Sequence, residues 1–218
     1  LQVGYELPYA PPFARGLAMI RQGAIGRPSI VWSNIVRNFV RSHGWRGDKE
    51  QSGGLLLEMT SHYVNLVDYL ADATPLEVMG YGGARLVNDV DYGWCLISYD
   101  NGAVGSVCSC MFGTGQADIA AAALGTEGSL YMSVDQRTIA LHRGGDEPDV
   151  IHLPEGTSPA EYGHWGTYEE IADFVACVGE GRRPLVDGST GMRAVALCVA
   201  FEKSVQQGGQ AVPMPAKG

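Results

Sequence analysis

The sequence predicts an α+β fold in which helices cover one face of an open, mainly antiparallel β-sheet. Seven strand-like runs separated by turn signals lie between residues 76 and 153, and helical patterns precede and follow them. The turn at residues 100–102 (Asp-Asn-Gly) favours a hairpin, because Asn-Gly accepts the positive φ values of a tight turn. Such a sheet needs one covered face, and the helices at both ends of the chain can supply the cover.

The N-terminal part of the chain predicts a strand, a helix and a second strand. Residues 3–7 (VGYEL) form a short extended run. A double proline begins at Pro11, where the first turn of a helix tolerates missing N–H groups, and apolar side chains recur at helical spacing over residues 13–20. Residues 29–37 alternate in polarity and include β-branched side chains, which is typical of a strand.

The rest of the chain predicts one long loop and three further helices. Residues 38–54 show neither helical nor strand periodicity, and long loops inside compact domains are often functional. Residues 55–72 (LLLEMTSHYVNLVDYLAD) predict a helix. After the sheet region, Thr167 and Glu170 have the spacing of a capping box at the start of a helix. Another helix is expected after Asp187, and the chain closes on a short strand or tail.

Composition excludes several classes of protein. The 218 residues carry 15 Lys and Arg against 24 Asp and Glu, a net charge of −9, and no basic stripe that would bind nucleic acid. There is no apolar run near the roughly 18 residues of a membrane span. The five cysteines lie in apolar runs, which favours a reducing cytoplasm, and none has the neighbours of a metal site. We predict one domain over residues 1–218, cut from a longer polypeptide because it begins at Leu1 without an initiator methionine.

The candidates for chemistry lie on the helix predicted over residues 55–72. Glu58 and His62 are one turn apart and share a face with Asn65. The spacing alone is more typical of a solvated face with an incidental Glu–His pair. That segment contains no Lys or Arg, however, and a polar strip among apolar residues indicates a cleft. The double glycine at residues 53–54 would let the backbone approach another surface closely.

Oxidation of an alcohol by hydride transfer requires a base for the hydroxyl proton, and imidazole is suited to this at neutral pH. His62 is therefore the candidate base, and Glu58 could orient its ring or bond a neighbouring substrate hydroxyl. Trp45 and Arg46 could hold a polar, ring-shaped ligand by stacking and hydrogen bonding, although ordinary loop anchoring explains them equally well. His164, in a loop before a helix, could line the same cleft.

The sequence contains no dinucleotide-binding fingerprint. Gly80, Gly82 and Gly83 follow a strand, but Arg85 stands where the third glycine belongs, and another strand pattern follows instead of a helix. No cofactor-binding residue is therefore assigned in this chain.

Several segments, taken in order, resemble the C-terminal domain of the Gfo/Idh/MocA family of glucose-fructose oxidoreductases and inositol dehydrogenases. The segments span the whole chain and are VGYELPYAPPF, IRQGAIGRPSIV, WRGD, SGGLLLEMTSH, GTEGSL and residues 169–212.

The resemblance implies an enzyme that acts on a sugar, cyclitol or related polyol. It implies that a preceding Rossmann domain binds NAD or NADP and supplies a lysine. It also implies that the family's acidic residue and catalytic histidine fall on Glu58 and His62, and that the exposed sheet face forms a homo-oligomer contact. The chain departs from the family in having Glu58 and Asn65 where aspartates are usual. Glu6 and Leu7 replace residues that are commonly basic.

Two alternatives remain open at this point. The chain could be a non-catalytic oligomerisation or ligand-sensing sheet domain, in which Glu58 and His62 would be dispensable. It could also be a zinc hydrolase that uses Glu58, His62 and either His43 or His164, because these residue types ligate zinc.

Overall fold

The structure is a computed structural model that describes residues 1–38, 40, 44–114, 119–145, 147–154 and 165–215. His43 and His164, both named above as candidate site residues, lie outside the described residues.

Nine strands of the described chain form one sheet. They are β1 (Pro28–Val36), β2 (Pro75–Gly83), β3 (Tyr92–Tyr99), β4 (Val104–Cys110), β5 (Ala120–Gly125), β6 (Ser129–Ser133), β7 (Thr138–His142), β8 (Asp149–His152) and β9 (Val212–Pro213). Their order across the sheet is β8-β7-β6-β5-β1-β4-β3-β2-β9. β1 and β4 are parallel, and the other neighbouring pairs are antiparallel. The predicted open, mainly antiparallel sheet is confirmed.

The α-helices of the described residues are α1 (Pro11–Arg21), α2 (Lys49–Ser52), α3 (Ser61–Ala71), α4 (Thr167–Glu180) and α5 (Gly188–Gln206). Short 3-10 helices occur at Leu7–Tyr9 and Gly44–Gly47, and a π-helical turn, Leu56–Thr60, runs directly into α3. α3 packs on β1 and β4, α5 packs on β2, and α1 packs on β6. The main hydrophobic core lies between these helices and one face of the sheet, as predicted.

Two local predictions are wrong. Residues 3–7 do not join the sheet: Gln2 forms an isolated bridge with Asp187, beside the start of α5. The capping box is not formed either, because the N-cap of α4 is Gly166 (φ 98°) and no side chain caps the helix. Thr167 therefore already lies inside the helix.

The outer face of α4 exposes a row of apolar side chains. Their exposed fractions run from 46% to 69%, and they are Tyr168, Ile171, Phe174, Val175 and Val178. The uncovered face of the sheet also exposes large apolar side chains, among them Tyr81, Trp94 and Tyr131. No helix in the described ranges is long and apolar enough to cross a membrane.

Asp187 caps the N-terminus of α5, as the sequence indicates. Its carboxylate oxygen Oδ1 accepts hydrogen bonds from the backbone N–H groups of Ser189, at 2.9 Å, and Thr190, at 3.0 Å. The Ser189 hydroxyl also donates to this oxygen, at 2.6 Å. These bonds, led by that of the Ser189 side chain, lower the pKa of Asp187 to about 2.

We expect Asp187→Ala to lower the free energy of unfolding at neutral pH by about 1 kcal/mol, the usual cost of losing an N-cap. The pKa of Asp187 is lower in the folded than in the unfolded chain. Its charge therefore stabilises the fold above a pH of about 4, and this contribution is lost as the pH falls towards 2. Urea unfolding of the wild type and of Asp187→Ala should be measured at a series of pH values. The difference between their free energies of unfolding should become smaller as the pH falls from about 4 to about 2.

The matched control is Asp187→Asn, which keeps an oxygen acceptor but cannot ionise. Asp187→Asn should retain most of the stability that the wild type has at neutral pH. The difference in free energy of unfolding between Asp187→Asn and Asp187→Ala should change little with pH. The difference in the free energy of unfolding between the wild type and Asp187→Ala could instead stay constant down to a pH of about 2. That result would contradict the capping role of the charge.

Candidate functional site

A double glycine positions the start of the helix that carries the candidate site. Gly53 and Gly54 have φ angles of 82° and 107°. The Asp89 carboxylate, from the loop between β2 and β3, accepts a hydrogen bond from the Leu55 N–H at 2.8 Å. A Cβ atom on residue 54 would lie 2.8 Å from Asp89 Oδ2. The close approach expected at the double glycine is thus seen against Asp89.

The helix then begins with the π-helical turn Leu56–Thr60. Such turns are frequent at functional sites, and they hold more residues than an α-helical turn. Glu58 lies inside this turn and His62 lies just beyond it. Each of the two side chains bonds to a different partner.

Glu58 is paired with Arg46. Its Oε1 atom lies 2.9 Å from Nε of Arg46, whose guanidinium group also lies over the Trp45 ring at 5.4 Å from the ring centre. The second carboxylate oxygen of Glu58, Oε2, is shielded from water and has no hydrogen-bond partner in the described part of the chain. Buried polar atoms without a partner are rare in folded proteins, and a hydrogen bond from a bound ligand or an ordered water is one way to satisfy this oxygen.

His62 is paired with Glu6. Its Nδ1 atom lies 2.7 Å from Oε2 of Glu6, the residue that precedes the 3-10 helix Leu7–Tyr9. The two side chains are only 24% and 17% exposed. The Tyr5 ring meets the imidazole edge-on, with 5.1 Å between the ring centres. Two contacts from the N-terminal segment thus fix the orientation of the imidazole.

These side chains line a common cleft with a volume of about 260 Å³. Its walls come from the N-terminal segment, the end of β1, the loop before α2, the start of α3 and the residues before β5 and α4. The lining residues are Glu6, Leu7, Arg37, Arg46, Glu58, Met59, His62, Tyr63, Ile119 and Trp165. The cleft predicted beside the helix is therefore present, with both acidic and basic groups in its walls.

The structure brings together some of the predicted residues and separates others. His62, Glu58 and Arg46 line the cleft. Trp45 stacks on Arg46 but is 53% exposed and does not line the cleft. Asn65 is 0% exposed and lies away from the cleft lining, and its amide atoms have no hydrogen-bond partner among the described residues.

Sequence reasoning missed Glu6, Arg37 and Tyr63 as lining residues, whereas Trp165 lies in the loop before α4 that was expected to line the cleft. Glu6 carried one signal, a charge between Tyr5 and Leu7 in an apolar run, but the sequence could not show that it meets a residue 56 positions away.

Burial shapes the protonation of two groups near the cleft. It raises the pKa of Tyr63 to about 12, against a smaller opposing effect of Arg37, so the phenol stays protonated at neutral pH. Burial also raises the pKa of Glu170, on α4, with a further contribution from the charge of Glu6. Within the described ranges, no three His, Cys, Asp or Glu side chains could together hold a metal ion.

The sequence model of "Oxidoreductase family, C-terminal alpha/beta domain" matches residues 18–214. The chain belongs to the Gfo/Idh/MocA family. Scyllo-inositol 2-dehydrogenase (NAD(+)) of Bacillus subtilis (strain 168) is 28% identical over 197 residues, which cover 85% of this chain and 54% of that enzyme. The chain therefore spans about half the length of this relative.

Solved structures have the same fold. Levoglucosan dehydrogenase in complex with NADH and levoglucosan superposes with a TM-score of 0.87 at 20% identity, covering 98% of this chain and 66% of that one. An inositol dehydrogenase homolog from Azotobacter vinelandii in complex with NAD+ gives a TM-score of 0.81 at 18% identity, covering 98% and 64%. These structures confirm the fold, and the match of the sequence model confirms the family assignment made from the sequence.

We expect Gly54→Ala to destabilise the protein more than Gly53→Ala. Alanine at either position should lower the free energy of unfolding by about 1–2 kcal/mol, because a residue with a Cβ is strained in a left-handed backbone conformation. A Cβ at residue 54 would also displace Asp89, whereas at residue 53 its nearest neighbour, Leu57, is 3.4 Å away. Loss of the Asp89 bond to Leu55 should add about 1 kcal/mol.

The measurement is urea unfolding of the two glycine variants side by side. Equal losses of stability would show that Asp89 does not fix the start of the helix. A loss of stability in Gly53→Ala but not in Gly54→Ala would also show that Asp89 does not fix the start of the helix.

Proposed function

We propose that residues 1–218 form the single substrate-side unit of an NAD(P)-dependent dehydrogenase acting on a sugar, cyclitol or related polyol. The observation that carries the proposal is the placement of His62 in a cleft beside the Glu58–Arg46 ion pair. The activities of the similar scyllo-inositol and levoglucosan dehydrogenases support this substrate class.

His62 is the base in the proposed reaction. His62 would take the hydroxyl proton of a secondary alcohol, and a bound nicotinamide would supply the hydride acceptor. Glu58 accepts a hydrogen bond from a neighbouring substrate hydroxyl through its unpaired Oε2, while Arg46 holds the other carboxylate oxygen. Polyols present adjacent hydroxyls, so a base and an acceptor close together suit them.

The dinucleotide itself is proposed to bind mainly to a domain outside this sequence. The glycines at 80, 82 and 83 lie within β2, where they pair with β3, and they form no phosphate-binding turn. The cleft of about 260 Å³ is smaller than the roughly 300–1,000 Å³ of complete small-molecule sites, which fits a site with one wall supplied from elsewhere. Complexes of the structural relatives with NADH and NAD+ support NAD as the cofactor.

We further propose that the protein forms homo-oligomers through the uncovered face of the sheet and works in the cytoplasm. Exposed aromatic side chains on that face, Tyr81, Trp94 and Tyr131, favour an interface. All five cysteines are free, in keeping with a reducing compartment.

His62→Ala should lower kcat by about 10²–10⁴-fold, the usual contribution of a positioned base. The test uses the polypeptide encoded together with the sequence upstream of Leu1, and measures NAD+ reduction with a panel of cyclitols and sugars. His152→Ala is the control, because His152 is exposed on the edge strand β8, four strands away from β1. Its turnover should match that of the wild type.

An unchanged turnover number in His62→Ala would refute the role of His62 and favour a non-catalytic sheet domain. A wild-type protein that reduces no NAD+ with any polyol of the panel would refute the dehydrogenase proposal as a whole.

A further inference from the structure

We propose that Glu6, rather than the family's carboxylate at position 58, is the positioning residue that prepares His62 to act as a base. This inference rests on the proposed function, because it assigns a role within the same site. It departs from the arrangement implied by the resemblance, in which the carboxylate one turn before the histidine belongs to the catalytic pair.

The two carboxylates in the cleft have different partners. Oε2 of Glu6 lies 2.7 Å from Nδ1 of His62, within the range of a charge-assisted hydrogen bond. Oε1 of Glu58 lies 2.9 Å from Nε of Arg46, so the charge of Glu58 is already matched by a guanidinium group. Glu6 is therefore the carboxylate that acts on the imidazole.

The contact selects one tautomer of the neutral ring. A carboxylate only accepts hydrogen bonds, so the nitrogen facing Glu6, Nδ1, must carry the hydrogen. The lone pair then lies on Nε2, which becomes the single basic position of the ring. The edge-on contact with Tyr5 adds a second restraint on the ring orientation.

Glu6 also stabilises the product of the proton transfer. The alcohol O–H bond breaks, its proton forms an N–H bond at Nε2, and the hydride leaves carbon for the nicotinamide. The imidazole becomes a cation, whose charge is offset by the Glu6 carboxylate through Nδ1–H, and Glu6 itself takes no proton. One hydride and one proton leave the alcohol, which becomes a ketone.

The other charged groups around the ring do not replace Glu6. Glu170 approaches from α4, and burial, with the nearby charge of Glu6, raises its pKa, but the hydrogen bond of the ring in the described structure is to Glu6. Arg46 is paired with Glu58, and Arg37 lies at the end of β1 in the same cleft. The phenol of Tyr63 stays protonated, and burial raises the pKa of Tyr5 too.

The identity of residue 6 then has a physical reason. A basic side chain, which the resemblance makes the common type at this position, would repel the imidazolium that forms during the reaction. A glutamate at this position attracts it. The replacement noted in the sequence thus coincides with a change in which residue supports the histidine.

The test compares Glu6→Gln with the matched variant Glu58→Gln in the complete polypeptide labelled with 15N-histidine. NMR at mildly alkaline pH reports which nitrogen of each neutral imidazole carries hydrogen, and His62→Ala assigns the His62 signals. We expect Nδ1–H to predominate in the wild type and in Glu58→Gln. In Glu6→Gln the preference should be lost, because an amide can either accept from Nδ1 or donate to it.

Kinetics supply the second readout. Glu6→Gln should lower kcat roughly 10- to 100-fold, the size of the loss when the carboxylate partner of a metal-bound histidine is removed, with a much smaller change in KM. The proposal is overturned if Glu58→Gln alters the tautomer and Glu6→Gln does not. It is also overturned if Glu6→Gln changes the tautomer but leaves kcat unaltered.

The two proposals fail in distinguishable ways. A wild-type protein without NAD+-dependent turnover on any polyol refutes the dehydrogenase function, and with it any role of Glu6 in that reaction. An active wild type whose kcat falls in His62→Ala but not in Glu6→Gln refutes the role of Glu6 alone.

Discussion

The packing of α3 across the parallel pair β1 and β4 is the constraint on which the rest of the structure depends. Val64, Leu66, Val67 and Leu70 are fully buried in this layer. At the start of the helix, the hydroxyl groups of Thr60 and Ser109, which belongs to β4, are 2.9 Å apart. Since the helix cannot roll without exposing its apolar side chains or breaking that contact, the direction in which His62 points is fixed by the core.

Local patterns predicted most of the fold because the sheet is built mainly from hairpins. Alternation along the strands and the Asp100-Asn101-Gly102 turn are properties of neighbouring residues. The parallel pairing of β1 with β4 involves segments about 74 residues apart by the register of Ile30 with Val104, so no local signal could show it. The two errors, at residues 3–7 and at the start of α4, have a related cause. An extended run and an S/T-x-x-E spacing are both compatible with several tertiary settings.

The candidate site was predictable in position but not in its pairings. Helical periodicity placed Glu58 and His62 on one face of a helix, and the absence of Lys and Arg indicated a sheltered setting. Periodicity does not show which distant side chain will reach that face. The helix also starts with a π-helical turn, which holds more residues than the 3.6-residue α-helical turn that the periodicity assumes. Asn65, also on that face by spacing, is buried in the core.

The outer face of α4 affects the self-association of this chain in solution. Its five apolar side chains, Tyr168 through Val178, meet water in the described structure despite a net charge of −9 on the chain. Electrostatic repulsion between copies of the chain acts over roughly 8–10 Å in physiological salt. It does not prevent contact between exposed hydrophobic patches. The exposed row on α4 therefore favours self-association of the polypeptide along this helix.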